Sequence, residues 1–348
     1  MKNNTVTLNK IASVLKNVPF SKTVQITSLI QSIEGEIVVV RALQEQKKYG
    51  KLELPNGKFS KIKKGDVFVG VLGQRKALEG IVGEVPKNLK VNDVIHVLNL
   101  GGVLGMATSW NPDIIDTPLP VQVLGAIEKN NATLTLGDFS LKPEKKLYKS
   151  APIVFVLGSS MGVGKTTVVS SLITLLAKKN SFKVAAGKLT GVASQRDLLA
   201  MKKAGACEVL SFLDVGLTST INQNGLVLSA ANTVINTLNK HKPDIIVVEL
   251  GDGVVGWYGV SQLLQKKSFI SSSSFIIACA NDLVGATGLY EVLQKMALTI
   301  DFFAGPVANN SAGTEYLEQF FNVAGQDLRH DHSKLVETLV KKGIQIHD

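Results

Sequence analysis

The residues of this chain whose types and spacing point most directly to chemistry are Gly158-Ser159-Ser160-Met161-Gly162-Val163-Gly164-Lys165-Thr166-Thr167. Glycines at this density let successive backbone N–H groups curl around one anion. Lys165 adds a cation for outer phosphates, and Thr166 offers a hydroxyl to Mg²⁺. The apolar run Val154 to Leu157 reads as a buried strand entering the loop, and Val168 to Lys179 as a helix leaving it. The helix N-terminus behind the loop contributes about half a positive charge. Gly158, Ser159, Ser160, Gly162, Val163, Gly164, Lys165, Thr166 and Thr167 are therefore the expected phosphate cradle. The first glycine departs from Gly-x-x-x-x-Gly-Lys-Thr. That spacing would put it at Ser159, and it stands one place earlier, at Gly158.

Two further stretches carry candidate chemistry. Asp244-Ile-Ile-Val-Val-Glu249 is a buried run ending in a carboxylate, followed by Leu250-Gly251-Asp252-Gly253. A parallel sheet would bring Glu249 beside Thr166 as an Mg²⁺ ligand, with Asp252 able to share the task or to meet substrate. Gly187-Lys188-Leu189-Thr190-Gly191 follows another strand. Its place on the same rim lets Lys188 hold a substrate carboxylate or a γ-phosphate, and lets Thr190 donate a hydroxyl. Arg196 is one of very few arginines, so a bidentate anion contact is a candidate role, against an ordinary helix-surface arginine with Asp197 as a helix-start acid. Asp214 reads either as a further Mg²⁺-facing carboxylate or as a turn residue before Gly216. His330 and His332 have a metal-like spacing, but a polar helix start explains them better. Lys165, Lys188 and Glu249 are the expected catalytic set.

The elements that must position these residues divide the chain in two. Residues 1–22 read as a short, partly helical arm. From 23 to 129, short runs rich in Val, Ile and Leu alternate with turn signals such as Pro55-Asn-Gly57, so a β-rich domain is expected, as a small barrel or a Rossmann-like half-domain. Residues 130–150 read as a linker. From 151 to 348 strands alternate with helices, which predicts an α/β domain of phosphate-loop NTPase type: a mostly parallel sheet, helices on both faces, ligands at the strands' C-terminal ends.

Composition sets the bounds. The 348 residues are 45% hydrophobic and 19% charged, ordinary for an enzyme with a sizeable core. Two cysteines, Cys207 and Cys279, supply no disulfide framework, so a reducing, cytoplasmic setting is expected. The first ten residues hold no apolar signal core, and no segment approaches the ~18 apolar residues of a membrane span. The net charge of +10 is nearly all lysine, in dispersed doublets without interleaved aromatics. Neither nucleic acid nor a membrane is therefore an expected partner. A small-molecule substrate and a homo-oligomer are.

The loop form Gly-Ser-x-x-Gly-Val-Gly-Lys-Thr resembles that of dethiobiotin synthetase and the cobyrinic acid amide synthases. Lys188–Gly191 and Asp244–Gly253 resemble dethiobiotin synthetase as well. The resemblance implies ATP and Mg²⁺ at Lys165 and Thr166, a metal role for Glu249, a substrate contact for Lys188, and Asn309 near the adenine. GTPases of this class carry Asn-Lys-x-Asp where this chain has Ala280-Asn281-Asp282-Leu283, so ATP is favoured over GTP. The stretches Gly187–Gly191, Arg196-Asp197, Ala204–Ala206, Phe212–Gly216 and Val248–Gly253 are similar to a two-domain phosphate-loop family that includes D-glutamate N-acetyltransferase. That similarity implies a loop holding the phosphates of acetyl-CoA. Three functions follow as expectations: ATP- and Mg²⁺-dependent activation of a small carboxylate or amino acid, acyl-CoA-dependent N-acylation of an amino acid, and a non-catalytic nucleotide-dependent switch. The partitioning ATPases carry a second lysine early in the loop; Ser160 stands there here, which disfavours their type of dimer switch.

Overall fold

A computed structural model describes residues 4–221, 223 and 225–344. The chain forms two compact units. The first comprises Met1–Lys142, Val192–Arg196 and Phe212–Ile221; the second comprises Pro143–Gly191, Asp197–Ser211 and Asn222–Asp348.

The first unit is built on an eleven-stranded, largely antiparallel sheet. Its centre is Ile37–Ala42, paired antiparallel to Val67–Leu72 on one side and to Leu119–Lys129 on the other. Val38, Val39 and Val40 are all buried, as are Phe68 to Leu72, so both faces of these strands are covered and the apolar runs are continuous. Leu119–Lys129 instead alternates buried and half-buried positions, which is how a strand reads when one face is less covered. Among the described residues, 4–22 are not the expected partly helical arm. Asn4–Thr7 is a strand paired with Thr23–Thr27, and Lys10–Ile11 pairs with Val67–Leu72. The β-branched run Thr5-Val6-Thr7 favours the extended form, and only a short 3₁₀ turn, Ser13–Leu15, follows. The expected linker is partly ordered too, with a strand at Ala132–Thr133 and a 3₁₀ turn at Leu136–Phe139.

The second unit is a six-stranded sheet whose pairings are all parallel. Across the sheet the order is Glu208–Ser211, Val184–Thr190, Ile245–Leu250, Ile153–Gly158, Ser273–Cys279, Phe302–Ala304. Alternation along the strands shows that helices cover both faces. Val154, Val156 and Val247 pack in one core with Val169 and Leu172 of the helix Lys165–Ile173, with Leu198 and Met201 of Arg196–Ala204, and with Leu335 and Leu339 of Ser333–Lys341. Phe155 points the other way and stacks on Phe269, ring centroids 5.2 Å apart. Gly187 likewise lies against Val234 and Leu238 of Leu226–Asn239, where a Cβ would come within 3.1 Å of Val234. The fold is thus a phosphate-loop NTPase-type α/β sheet, wound in both directions from its centre. Among the described residues no helix is long and apolar enough to cross a membrane.

Phe155 is fully buried under the strand that feeds the loop. Phe155→Ala should cost about 3–5 kcal/mol, the usual price of truncating a buried ring. Urea denaturation would measure it, and a loss under about 1 kcal/mol would mean that the ring contributes little to the core.

Candidate functional site

The site begins with the strand register. Glu249 pairs with Val156 of the loop strand on one side and with Lys188 on the other. Three strand ends therefore deliver the phosphate loop, a carboxylate and a lysine to one rim, as ligand sites in open parallel sheets require. Gly164 adopts φ +86° and starts the helix Lys165–Ile173, a conformation that L side chains rarely take. The first N–H groups of an α-helix lack intrahelical partners, which suits the turn behind the loop to an anion.

Lys165 is 6% exposed and donates to the carbonyl of Ser160 at 2.7 Å, closing the loop on itself. Burial lowers its pKa from the ordinary lysine value, with Glu249 and Asp252 opposing part of that shift. Thr166 Oγ1 lies 3.0 Å from Glu249 Oε2 and 3.3 Å from Asp197 Oδ1. Lys188 Nζ donates to Asp197 Oδ2 and stands 3.4 Å from Glu249 Oε1. Burial alone would lower the Lys188 pKa, but the charges of Glu249 and Asp197 outweigh it and hold it well above the usual lysine range. Asp252 sits at φ +70° just beyond the acid strand. Burial pushes its carboxyl up, offset in part by Lys165 and Lys188. Thr190 is buried and its hydroxyl is committed to the carbonyl of Gly251 at 2.8 Å.

Lys165, Thr166, Lys188, Glu249 and Asp252 are therefore brought together. Thr190 is nearby but occupied. Arg196 opens its helix exposed to solvent, and its neighbour Asp197 is the residue that faces Thr166 and Lys188. The pattern Arg196-Asp197 drew attention to the cation, while helical geometry turned the acid inward. Asp214 is not among them. It is buried in the first unit, 2.8 Å from the Lys16 ammonium and bonded to Asn17 at 2.9 Å, so its expected metal role is withdrawn. His332 lies at the start of the helix Ser333–Lys341, and among the described residues no group of three or more His, Cys, Asp or Glu is placed to hold a metal alone. Oxygen donors from Thr166, Glu249 and Asp197 nonetheless fit a hard cation such as Mg²⁺, which takes few protein ligands and completes its shell with phosphate and water.

A small cleft of about 100 Å³ lies beside the first turn of the loop helix, lined by Gly164, Thr167, Gly305, Pro306, Asn309 and Arg329. That is smaller than a typical small-molecule site, about 300–1,000 Å³, so the cleft would hold only part of a ligand. Asn309, exposed at the end of the 3₁₀ turn Pro306–Ala308, thus lies beside the phosphate loop. Arg329 and Asp327 form a bidentate pair on the cleft wall, at 2.7 and 2.8 Å, which holds the Asp327 carboxyl down at about 2. Sequence reading missed this pair; the scarcity of arginine was the available signal.

No protein-family model matches the chain, and no curated protein does. Solved structures do. The signal recognition particle receptor FtsY from Elizabethkingia anophelis is 13% identical over 61% of this chain and 67% of that one, with a TM-score of 0.37. The 54 kDa signal recognition particle protein from Aeropyrum pernix, in complex with GDP, is 17% identical over 60% of this chain and 52% of that one, at 0.38. Chloroplast FtsY from Physcomitrella patens is 17% identical over 59% and 70%, at 0.37. The family that includes D-glutamate N-acetyltransferase has no counterpart among these matches. From the sheet order and the loop, the class of the second unit is a phosphate-loop NTPase-type fold.

Cys279 ends the strand Ser273–Cys279 fully buried, and burial pushes its thiol from 9.0 up to about 12. Cys207 is half-exposed. At pH 8 a thiol reagent should label Cys207 and spare Cys279 until the chain unfolds. The folded thiol titrates higher than the unfolded one, so this group costs no stability below about 9 and erodes it as pH rises toward about 12. Cys279→Ala should flatten that alkaline loss in melting curves, and an identical loss in the variant would refute the assignment.

Proposed function

We propose that the second unit binds a nucleoside triphosphate with Mg²⁺ and hydrolyses it slowly, acting as a nucleotide-dependent switch. The observation that carries this reading is the Thr166 hydroxyl set between Glu249 and Asp197 on the first turn of a helix behind a phosphate loop. In that reading the loop amides and Lys165 hold the phosphates, and Thr166, Glu249 and Asp197 hold the metal. Mg²⁺ bound there supplies charge neutralisation to the β- and γ-phosphate oxygens. Asp252, half-buried just beyond the acid strand and electrostatically linked to Lys165 and Lys188, would meet the substrate side of the rim. Asn309 and the cleft beyond Gly164 take the base.

A switch is favoured over substrate activation by two features. Lys188, the cation expected to meet a substrate carboxylate, is engaged by Asp197 and Glu249 in the metal-free rim. The segment after Glu249 is also tied to the loop and exposed at its tip. Val254 N–H donates to Gly158 O at 2.9 Å, and a Cβ on Gly253 would lie 2.5 Å from Ser159 O, so this backbone moves with the loop. Val255 and Trp257 in the same segment are 73% and 63% exposed, and Val284, which follows a helix cap beside Ser159, is 82% exposed. Nucleotide contact at Ser159 and Ser160 would thereby reach an apolar surface.

ATP is the proposed nucleotide. Asp282, in the stretch that lacks the guanine-reading lysine, spends its carboxylate on the Gly285 N–H at 2.7 Å as a helix cap. GTP is tested beside it, since one of the similar structures, that from Aeropyrum pernix, is a complex with GDP. In a Trp110→Phe background Trp257 is the lone tryptophan, and its emission should change on adding Mg–ATP or Mg–GTP. Lys165→Ala should weaken binding at least ~30-fold, as for truncating one partner of a buried charged contact. No binding of either nucleotide at millimolar concentration would end this reading.

A further inference from the structure

The two carboxylates of the rim divide their oxygens in a regular way. Asp197 gives Oδ1 to Thr166 and Oδ2 to Lys188; Glu249 gives Oε2 to Thr166 and Oε1 to Lys188. Thr166 and the Lys188 ammonium thus stand on opposite sides of one carboxylate pair. Glu249 is 2% exposed, and the side chains of Lys188 and Asp197 are 14% and 16% exposed. Two carboxylates this close and this dry need a cation between them.

We propose that the Lys188 ammonium is a built-in counter-ion holding the divalent-metal seat, and that lysine and metal exchange there. This rests on the metal-binding part of the function proposed above. The charges balance in both states. Two carboxylates with Lys188 leave one net negative charge; two carboxylates with a divalent cation leave none and release one positive charge. The released ammonium stays on the same rim as the phosphate loop, because its strand end is fixed by pairing with Glu249. Lys188 therefore stabilises the metal-free rim and becomes available to an outer phosphate when the metal is in place. Free divalent cation binds weakly in this scheme, since it must displace an ammonium. Phosphate makes the exchange favourable by giving the ammonium a second partner. Lys188 is a positioning residue for metal and phosphate rather than a substrate-carboxylate clamp.

Mn²⁺ binding to the full chain without nucleotide, followed by electron paramagnetic resonance, tests the proposal. Lys188→Met keeps length and removes charge. It should bind Mn²⁺ at least about tenfold more tightly than the unaltered protein, the effect of deleting a like charge a few ångström away. Lys188→Arg should remain as weak as the unaltered protein. A folded Lys188→Met protein, checked by its melting curve, with equal or weaker Mn²⁺ affinity would overturn the idea. A second measurement needs no variant. Acylation of Lys188, read by mass spectrometry in the unaltered protein, should speed up severalfold on saturating Mn²⁺; an unchanged rate would also overturn it. Nucleotide titration in EDTA separates the two readings. Nucleotide binding with no Lys188 effect on Mn²⁺ removes the exchange alone, whereas absent nucleotide binding removes the function and leaves the Mn²⁺ comparison to stand or fall by itself.

Discussion

A carboxylate buried at the end of a central parallel strand is the constraint from which the rest of the second unit follows. Glu249 is almost inaccessible, and an ionised carboxyl at that depth is costly unless hydrogen-bonded and paired. Its neighbours are the minimum that can meet the cost. Parallel pairing puts Lys188 on one side and the loop strand on the other, so a cation and the Thr166 hydroxyl arrive by register rather than by loop chance. Breaking one member of such a set leaves a charge stranded, which is why the rim behaves as a unit.

The two lysines of the rim show how placement alone divides one residue type into two functions. Lys165 is buried among loop carbonyls with its carboxylates at longer range, so desolvation wins and its pKa falls. Lys188 is in direct contact with two carboxylates, so attraction wins and its pKa rises. The first is a cation seeking a stronger anion than a carbonyl oxygen. The second already has two. A polyanion entering the loop therefore gains more from Lys165 than from Lys188 at first contact.

Much of this rim was legible in the sequence, because it rests on local pattern. The glycine spacing, the apolar runs before Gly158 and Glu249, and Lys188 after its strand each need only a window of ten residues. What failed depended on distance or on facing. Asp214 was judged from the turn before Gly216, but its partners Lys16 and Asn17 lie some two hundred residues earlier in the chain, beyond any window. Residues 1–22 read as a partly helical arm, while the strands Asn4–Thr7 and Lys10–Ile11 exist only because Thr23–Thr27 and Val67–Leu72 supply partners. Asp197 was named but given a helix-start role, since sequence does not say toward which side the first helical turn points. The segments 192–196 and 212–221 lie inside the α/β stretch of sequence yet belong to the first unit. Asn99 Nδ2 donates to Ala193 O at 2.7 Å, and Ala193 N–H donates to Thr218 O at 2.9 Å, contacts that leave no trace in composition.

The segment beyond Glu249 connects burial to exposure over a few residues. Leu250 is fully buried and Trp257 is mostly exposed, with Gly251, Gly253 and Gly256 between them. At Gly253 there is no room for a side chain against Ser159, so the two backbones are in contact and neither shifts without the other. The segment is tied to the loop at Val254, whose N–H donates to Gly158 O at 2.9 Å, and carries exposed apolar side chains at Val255 and Trp257. Contact with the loop at one end and exposed apolar side chains at the other is what the proposed conversion of phosphate occupancy into a change of surface would use. The strand end carrying Glu249 and the glycine-rich continuation carrying Trp257 lie within a single connected stretch of chain.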